Sequence, residues 1–178
     1  ELRAVKGMIH FQGADIEARI STRTGLLESL RIGGHDVLGR NAFQPLVLED
    51  YPDSWGLVGN DRAGKVVGRY KLLNTAAATV FAAVPKPLPP VRIIEDGPVR
   101  TVIEVVMGHE SSRLVLQYKL PKQGTEIEVA LRVLWNEPLK MLKLAVPFAP
   151  KVERGLGQTL FGTQECPTNG EEVVSHKW

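Results

Sequence analysis

A short acidic and aromatic segment carries the residue types best suited to binding a carbohydrate. Asp50 and Asp53 lie close together, and Tyr51 and Trp55 stand beside them. Glycosidases use pairs of carboxylates to cleave sugars, and carboxylates also accept hydrogen bonds from hydroxyls while aromatic rings stack on apolar faces. The same residues could instead cap a turn and pack Trp55 into the core. The segment therefore predicts either a sugar contact or a structural loop.

Other motifs that could carry chemistry are incomplete. The single cysteine, Cys166, stands next to Glu165, whose negative charge disfavours a reactive thiolate. The stretch Gly59–Lys65 has the spacing of a phosphate-binding loop, but Val66 stands where a hydroxyl should hold magnesium. The histidines show neither His-x-Asp nor His-Glu-x-x-His spacing, so the sequence predicts no metal site. They are His10, His35, His109 and His176.

Alternation of apolar and polar residues indicates that β-strands position these groups. The clearest case is Glu126–Trp135, in which every second residue from Ile127 to Trp135 is apolar. Leu114–Leu120 alternates too, and Pro121–Thr125 contains turn formers that would join the two as a hairpin. Many short strands separated by Gly and Pro turns predict a β-sandwich or barrel with little helix. Further strands are predicted at Ile16–Ile20, Leu26–Ile32, Val66–Leu73, Thr79–Val84, Val99–Met107 and Leu139–Val146.

Length and composition bound the class of protein. The chain has 178 residues, of which 43% are hydrophobic and 24% charged, enough for one domain with a hydrophobic core. Its net charge of +2 is not concentrated in a basic segment, so no nucleic-acid partner is predicted. Charges and prolines break the apolar stretches before they reach the length of a membrane span, so no membrane partner is predicted either.

The ends of the chain and its single cysteine indicate what kind of protein, and which compartment, the chain comes from. The chain starts at Glu1 without an initiator Met and ends abruptly at Trp178. We therefore expect residues 1–178 to be one domain excised from a longer protein. A single cysteine, no Asn-x-Ser/Thr sequon and no visible signal peptide favour a cytoplasmic or bacterial source.

Five short motifs, found in the same order along most of the chain, resemble the C-terminal β-domain of family 38 α-mannosidases. Each match is short, and their shared order makes the resemblance specific. They are Ser21–Leu30, Leu48–Trp55, Ile94–Arg100, Val133–Leu144 and the late run of Phe161-Gly162, Pro167-Thr168-Asn169 and His176-Lys177-Trp178.

The resemblance implies an all-β antiparallel β-sandwich of the galactose-mutarotase-like supersandwich kind, lying behind a catalytic (β/α) domain that this chain lacks. In that family the zinc ion, the nucleophilic aspartate and the acid/base come mainly from the N-terminal domain. The resemblance therefore implies no cofactor and no catalytic residue here, and a fragment inactive by itself. It implies a part of a retaining α-mannosidase that holds the catalytic domain and lines the cleft for an α-mannoside. The candidate cleft residues are Asp50, Asp53 and Trp55, with Thr168 and Asn169 behind them.

Two functions of other classes stay open. A free-standing carbohydrate-binding module would use the same acidic and aromatic segment without a catalytic partner. A mutarotase-like sugar epimerase would need a histidine and a carboxylate as acid and base, and neither His109 nor His176 pairs with a carboxylate in the sequence pattern. If sheet partners beyond Trp178 are missing, an exposed strand edge predicts a homodimer.

Overall fold

The computed structural model describes residues 2–50, 65–150 and 152–169, which form antiparallel sheets and one short helix. The predicted all-β sandwich is confirmed. None of the described helical structure has the length and apolar character needed to cross a membrane. In chain order the elements are β1 (Ala4–Val5), β2 (Met8–Gln12), β3 (Ile16–Ser21), β4 (Leu27–Ile32), β5 (His35–Leu38), β6 (Gln44–Glu49), β7 (Val66–Arg69), β8 (Lys71–Leu72), α1 (Thr75–Ala82), β9 (Val91–Asp96), β10 (Arg100–His109), β11 (Ser112–Pro121), β12 (Glu128–Leu134), β13 (Lys140–Ala145), β14 (Gly155–Thr159) and β15 (Gly162–Cys166).

The strands form four sheets. The N-terminal sheet is the meander β1-β2-β3-β4-β5, in which each strand pairs with the next along the chain. The central sheet has the order β12-β11-β10, and both β8 and β9 pair with the other edge of β10. The third sheet is β13-β6-β7, and β14-β15 forms a separate C-terminal hairpin.

The core lies between the N-terminal sheet and the central sheet, because each presents one apolar face to the other. Successive side chains of a strand point to opposite faces, and every second residue of β11 is fully buried. The third sheet adds Val47 to the same cluster. The members of this core cluster from the central sheet are Ile103, Val105, Met107, Leu114, Leu116, Tyr118 and Leu120, and those from the N-terminal sheet are Ile9, Phe11, Ile16, Ala18, Ile20, Leu27 and Leu30.

The N-terminal and central sheets approach each other closely at Gly25, in the turn between β3 and β4. Gly25 has a φ of +73°, and a Cβ atom built on it would lie 2.3 Å from Cγ1 of Val105 in β10. The Tyr118 hydroxyl of β11 donates a hydrogen bond to the Gly25 carbonyl oxygen at 3.1 Å. Burial raises the pKa of Tyr118, so the phenol stays a neutral donor.

The segment predicted as one strand from Val66 to Leu73 is two strands in different sheets. β7 pairs with β6, whereas β8 pairs with β10. The change occurs at Tyr70, whose backbone N–H donates to Pro45 at 3.1 Å and whose side chain is buried. The residue pattern from Val66 to Leu73 does not reveal that Tyr70 separates strands of two different sheets.

The prediction of a strand at Thr79–Val84 is wrong, because these residues mostly belong to α1. Asn74 caps the helix, its side-chain oxygen accepting a hydrogen bond from the Ala77 backbone N–H at 2.8 Å. The alanine-rich first turn has a high helix propensity, and Ala83 ends the helix in the left-handed conformation. These local signals outweigh the β-branched residues on which the strand prediction depended.

Helix α1 lies in an excursion, residues 74–89, in which the chain leaves the edge of the central sheet and then returns to it. β8 pairs with the Met107–Gly108 end of β10 and β9 continues along the same edge from Val105. Both ends of the excursion are held by Val106, which accepts a hydrogen bond from Leu73 N at 3.1 Å and donates one to the Pro90 carbonyl oxygen at 2.8 Å. β8 and β9 therefore act as one edge strand interrupted by residues 74–89.

The face predicted for Glu126–Trp135 is only partly covered. Ile127, Val129 and Trp135 pack against the core as expected. Leu131 and Val133 stay 38% and 37% exposed. The apolar face of β12 therefore extends beyond the described part of the core.

Gly25→Ala should destabilise the domain far more than the same change at Gly33, which also has a positive φ (+55°) but open space around it. Both variants incur the cost of placing a Cβ in the left-handed region, about 1 kcal/mol. Only Gly25→Ala also drives a methyl group into Val105, which should raise its cost to about 3 kcal/mol. Urea unfolding of both variants measures the difference, and equal costs would show that the two sheets can separate without penalty.

Candidate functional site

The outer face of the central sheet carries a cleft of about 300 Å³. Its floor consists of alternate residues of β10, β11 and β12, on the face opposite the core. Its wall comes from the excursion that contains α1, through Phe81, Ala82 and Leu88. The floor residues are Glu104, Val106, Val115, Gln117, Ala130 and Arg132.

Glu104 is the buried charge at the centre of this floor. Its side chain is 11% exposed, and its Oε1 atom pairs with the Arg92 guanidinium of β9 through both Nε, at 3.0 Å, and Nη2. Its Oε2 atom accepts a hydrogen bond from Gln117 Nε2 at 2.8 Å. Three neighbouring strands thus contribute one polar side chain each, and the register of the sheet sets their spacing.

The cleft is suited to binding a polar ligand. Both oxygens of Glu104 already accept hydrogen bonds from the protein. The guanidinium groups of Arg92 and Arg132 line the cleft and present N–H donors in a planar arrangement that matches hydroxyl, carboxylate or phosphate oxygens. A charged residue amid the apolar run of Val102–Met107 is the sequence signal from which this site could have been predicted.

A second polar cluster lies where the turn between β10 and β11 meets the segment after β12. Oε1 of Glu137 accepts hydrogen bonds from Ser112 Oγ at 2.8 Å and from Ser111 N at 3.2 Å. The Ser112 hydrogen bond lowers the pKa of the Glu137 carboxyl, and the Ser111 N–H lowers it further against the opposing effect of burial. Glu137 therefore ties the end of β12 to this turn.

His109 belongs to the same cluster. One of its ring nitrogens and one oxygen each of Glu110 and Glu137 all lie within 4.8 Å of one another. The sequence pattern pairs His109 with no carboxylate, and the structure brings Glu137, which is distant in sequence, close to it through the pairing of β11 with β12. Glu137 is only 9% exposed, which gives a sugar substrate little access to it.

The structure attaches the described cleft candidates to different sheets. Asp50 follows β6, and its backbone N–H donates to the Leu139 carbonyl oxygen at 3.1 Å beside the third sheet. Thr168 is exposed after the C-terminal hairpin, and its hydroxyl donates to the Glu153 carbonyl oxygen at 3.4 Å. Asn169 is exposed beside it.

The remaining candidates fall on residues that the structure does not describe. Asp53 and Trp55 lie outside the described residues, as do Tyr51 and the run His176–Trp178. The carbohydrate contact predicted for Asp50, Asp53, Trp55, Thr168 and Asn169 therefore stays a prediction.

Two antiparallel sheets packed face to face define a β-sandwich domain. In this one, the outer face of the central sheet carries a polar cleft. A family model described as the glycosyl hydrolases family 38 C-terminal domain matches residues 14–178. The chain belongs to this family and is a domain of a family 38 glycoside hydrolase. This confirms the family inferred from the ordered motifs. No curated protein sequence matches the chain significantly.

Arg92→Met should destabilise the domain by about 3 kcal/mol, because it leaves the Glu104 charge buried without its partner. The double variant Arg92→Met/Glu104→Met should recover most of this loss, since it removes the unpaired charge. Urea unfolding gives both values. Arg100→Met is the matched control, because its ion pair with Glu95 is exposed and solvent screening leaves it little effect on stability. A cost for Arg92→Met no larger than that of the control would contradict the structural role of the buried pair.

Proposed function

We propose that the chain is the non-catalytic β-sandwich of a retaining α-mannosidase, in which it holds the catalytic domain and lines the α-mannoside cleft. Its membership of the family 38 C-terminal domain supports this proposal. In this proposal the catalytic zinc, the nucleophile and the acid/base belong to the N-terminal domain.

The observation that carries the scaffolding role is the tip of the C-terminal hairpin. The turn between β14 and β15 contains Leu160 and Phe161, which are 75% and 102% exposed. Turn tips favour Gly, Asn, Asp, Pro and Ser, whereas these two large apolar side chains are barely covered by the described residues. A protein surface that covers them gains about 25 cal/mol for each Å² of apolar area.

Exposed apolar side chains are concentrated in the same part of the chain. Of the seventeen exposed large hydrophobic side chains among the described residues, ten lie between residues 131 and 161. Large apolar side chains left exposed in this number are available to pack against another domain. We infer that the catalytic domain covers this surface, and that the homodimer predicted for the isolated chain would cover it in the absence of that domain.

Phe161→Asp should weaken the full enzyme and leave the fold of the isolated chain intact. In the full enzyme a charge at the proposed contact should lower the melting temperature and increase proteolysis between the domains. In the 178-residue chain, at a concentration where it is monomeric, the melting temperature should not change, because Phe161 is fully exposed there. At high concentration, light scattering should show less dimer than in the wild type.

Val80→Asp is the matched control for this test, since Val80 is 80% exposed on α1, away from the hairpin. It should leave domain association unchanged. Equal behaviour of the two variants in the full enzyme, together with a monomeric wild-type chain at high concentration, would exclude this surface as the contact.

The proposal that Asp50 and Trp55 line the α-mannoside cleft predicts that Trp55→Ala and Asp50→Asn each raise KM of the full enzyme for a short α-mannoside. Loss of one stacking or hydrogen-bonding contact corresponds to about tenfold, or about 1.4 kcal/mol. Asp36→Asn is the control, because Asp36 is exposed on the N-terminal sheet and pairs with Arg31. An unchanged KM in both variants would remove this segment from the cleft.

The rival function, a free-standing carbohydrate-binding module, predicts a different result for the isolated chain. Titration with mannose or a short α-mannoside, followed by Trp fluorescence, should then saturate and lose its response in Trp55→Ala. The scaffold proposal predicts that this segment contacts sugar only when the catalytic domain completes the cleft.

A further inference from the structure

We propose that His109, Glu110 and Glu137 form a binding site for a divalent transition-metal ion, with Zn²⁺ as the best match. The site lies at the corner where the β10–β11 turn meets the segment after β12. It goes beyond the proposed scaffolding function and does not depend on it.

The donor set has the composition and spacing of a zinc site. Imidazole nitrogen and carboxylate oxygen are both zinc ligands, with bond lengths of about 2.0–2.2 Å. Ligand atoms around one such ion are therefore about 3–4 Å apart. The three donor atoms of the cluster already lie within 4.8 Å of one another, so small side-chain movements suffice to close the site. Three protein ligands leave a fourth position for water.

Two of the three ligands, His109 and Glu137, are held by the surrounding structure. His109 ends β10, and its ring fills the space that a side chain on Gly68 would need, since a Cβ there would lie 2.3 Å from His109 Cε1. Glu137 is fixed through one carboxylate oxygen by Ser111 and Ser112. Such outer hydrogen bonds orient a ligating carboxylate. Glu110 stands in the turn with a φ of +42°, an uncommon conformation for a residue with a side chain.

A buried hydroxyl supplies the second observation. Tyr70 is 1% exposed, and its ring lies 5.9 Å from that of His109, measured between centroids. Its hydroxyl lies beside Ser112 and near Glu137, but it makes no hydrogen bond that meets normal geometry within the described part of the chain. A buried polar atom without a partner is costly, and a water molecule on a metal ion in this corner would provide one.

The guanidinium of Arg113, which could compete with a metal ion for the carboxylates, is engaged elsewhere. Nη1 of Arg113 donates to the backbone carbonyl oxygens of Glu110 and Ser112, at 2.8 Å each. It therefore lies along the turn and is directed at carbonyl groups. Two carboxylates and an imidazole this close together are stabilised either by a shared proton or by a metal ion, and the two cases are separable by experiment.

The test is a calorimetric titration of the 178-residue chain with Zn²⁺ alone at neutral pH, and the expected stoichiometry is one ion per chain. Glu110→Gln and Glu137→Gln should each weaken binding by about tenfold or more, as the loss of a ligand requires. Glu110 is exposed, so its variant keeps the fold even if Glu137→Gln does not. Substitution of Co²⁺ should give a visible absorption band that both variants alter.

Two matched controls locate the ion. Glu126→Gln removes an exposed carboxylate before β12, at the far end of that strand, and Cys166→Ser removes the only thiol. Both should bind Zn²⁺ as the wild type does. Absence of saturable binding would overturn the proposal in favour of a shared proton. Wild-type affinity in Glu110→Gln would overturn it by placing the ion at another site.

Discussion

The close approach of two sheets at Gly25 is the constraint on which the rest of the domain depends. Because a Cβ there would meet Val105 at 2.3 Å, the β3–β4 turn can lie on the central sheet only if this residue is glycine. The hydrogen bond from Tyr118 fixes the same turn from the neighbouring strand. Once this distance is set, the inner faces of both sheets are buried and the outer face of the central sheet is free to carry polar groups.

The position of the polar groups follows from that division. Strand alternation sends Ile103 and Val105 into the core and Glu104 to the opposite face. There, the Arg92 guanidinium neutralises its charge from one adjacent strand, and the Gln117 amide donates a hydrogen bond from the other. The same pairing of β11 with β12 carries the chain to Glu137 at the end of the sheet. The strand register of the central sheet therefore positions both the residues of the cleft and those of the proposed metal site.

Local patterns predicted the strands well, because alternation and turn chemistry are properties of neighbouring residues. They failed at Thr79–Val84, where a capping residue outside the segment, Asn74, decides between helix and strand. Nor could they bring His109 and Glu137 together, because these residues approach each other only through tertiary pairing. The family could be inferred from ordered short motifs, whereas the Arg92–Glu104–Gln117 group depends on which residues face each other across strands.

The interruption of the edge strand at Val106 makes the wall of the cleft a modular unit. Residues 74–89 leave and re-enter the sheet at a single backbone position, with both ends held by one residue. The segment can therefore gain or lose length, or exchange its helix for a loop, without shifting the register of any strand. A change in this segment would therefore reshape the wall of the cleft and leave its floor, and the sandwich beneath it, unaltered.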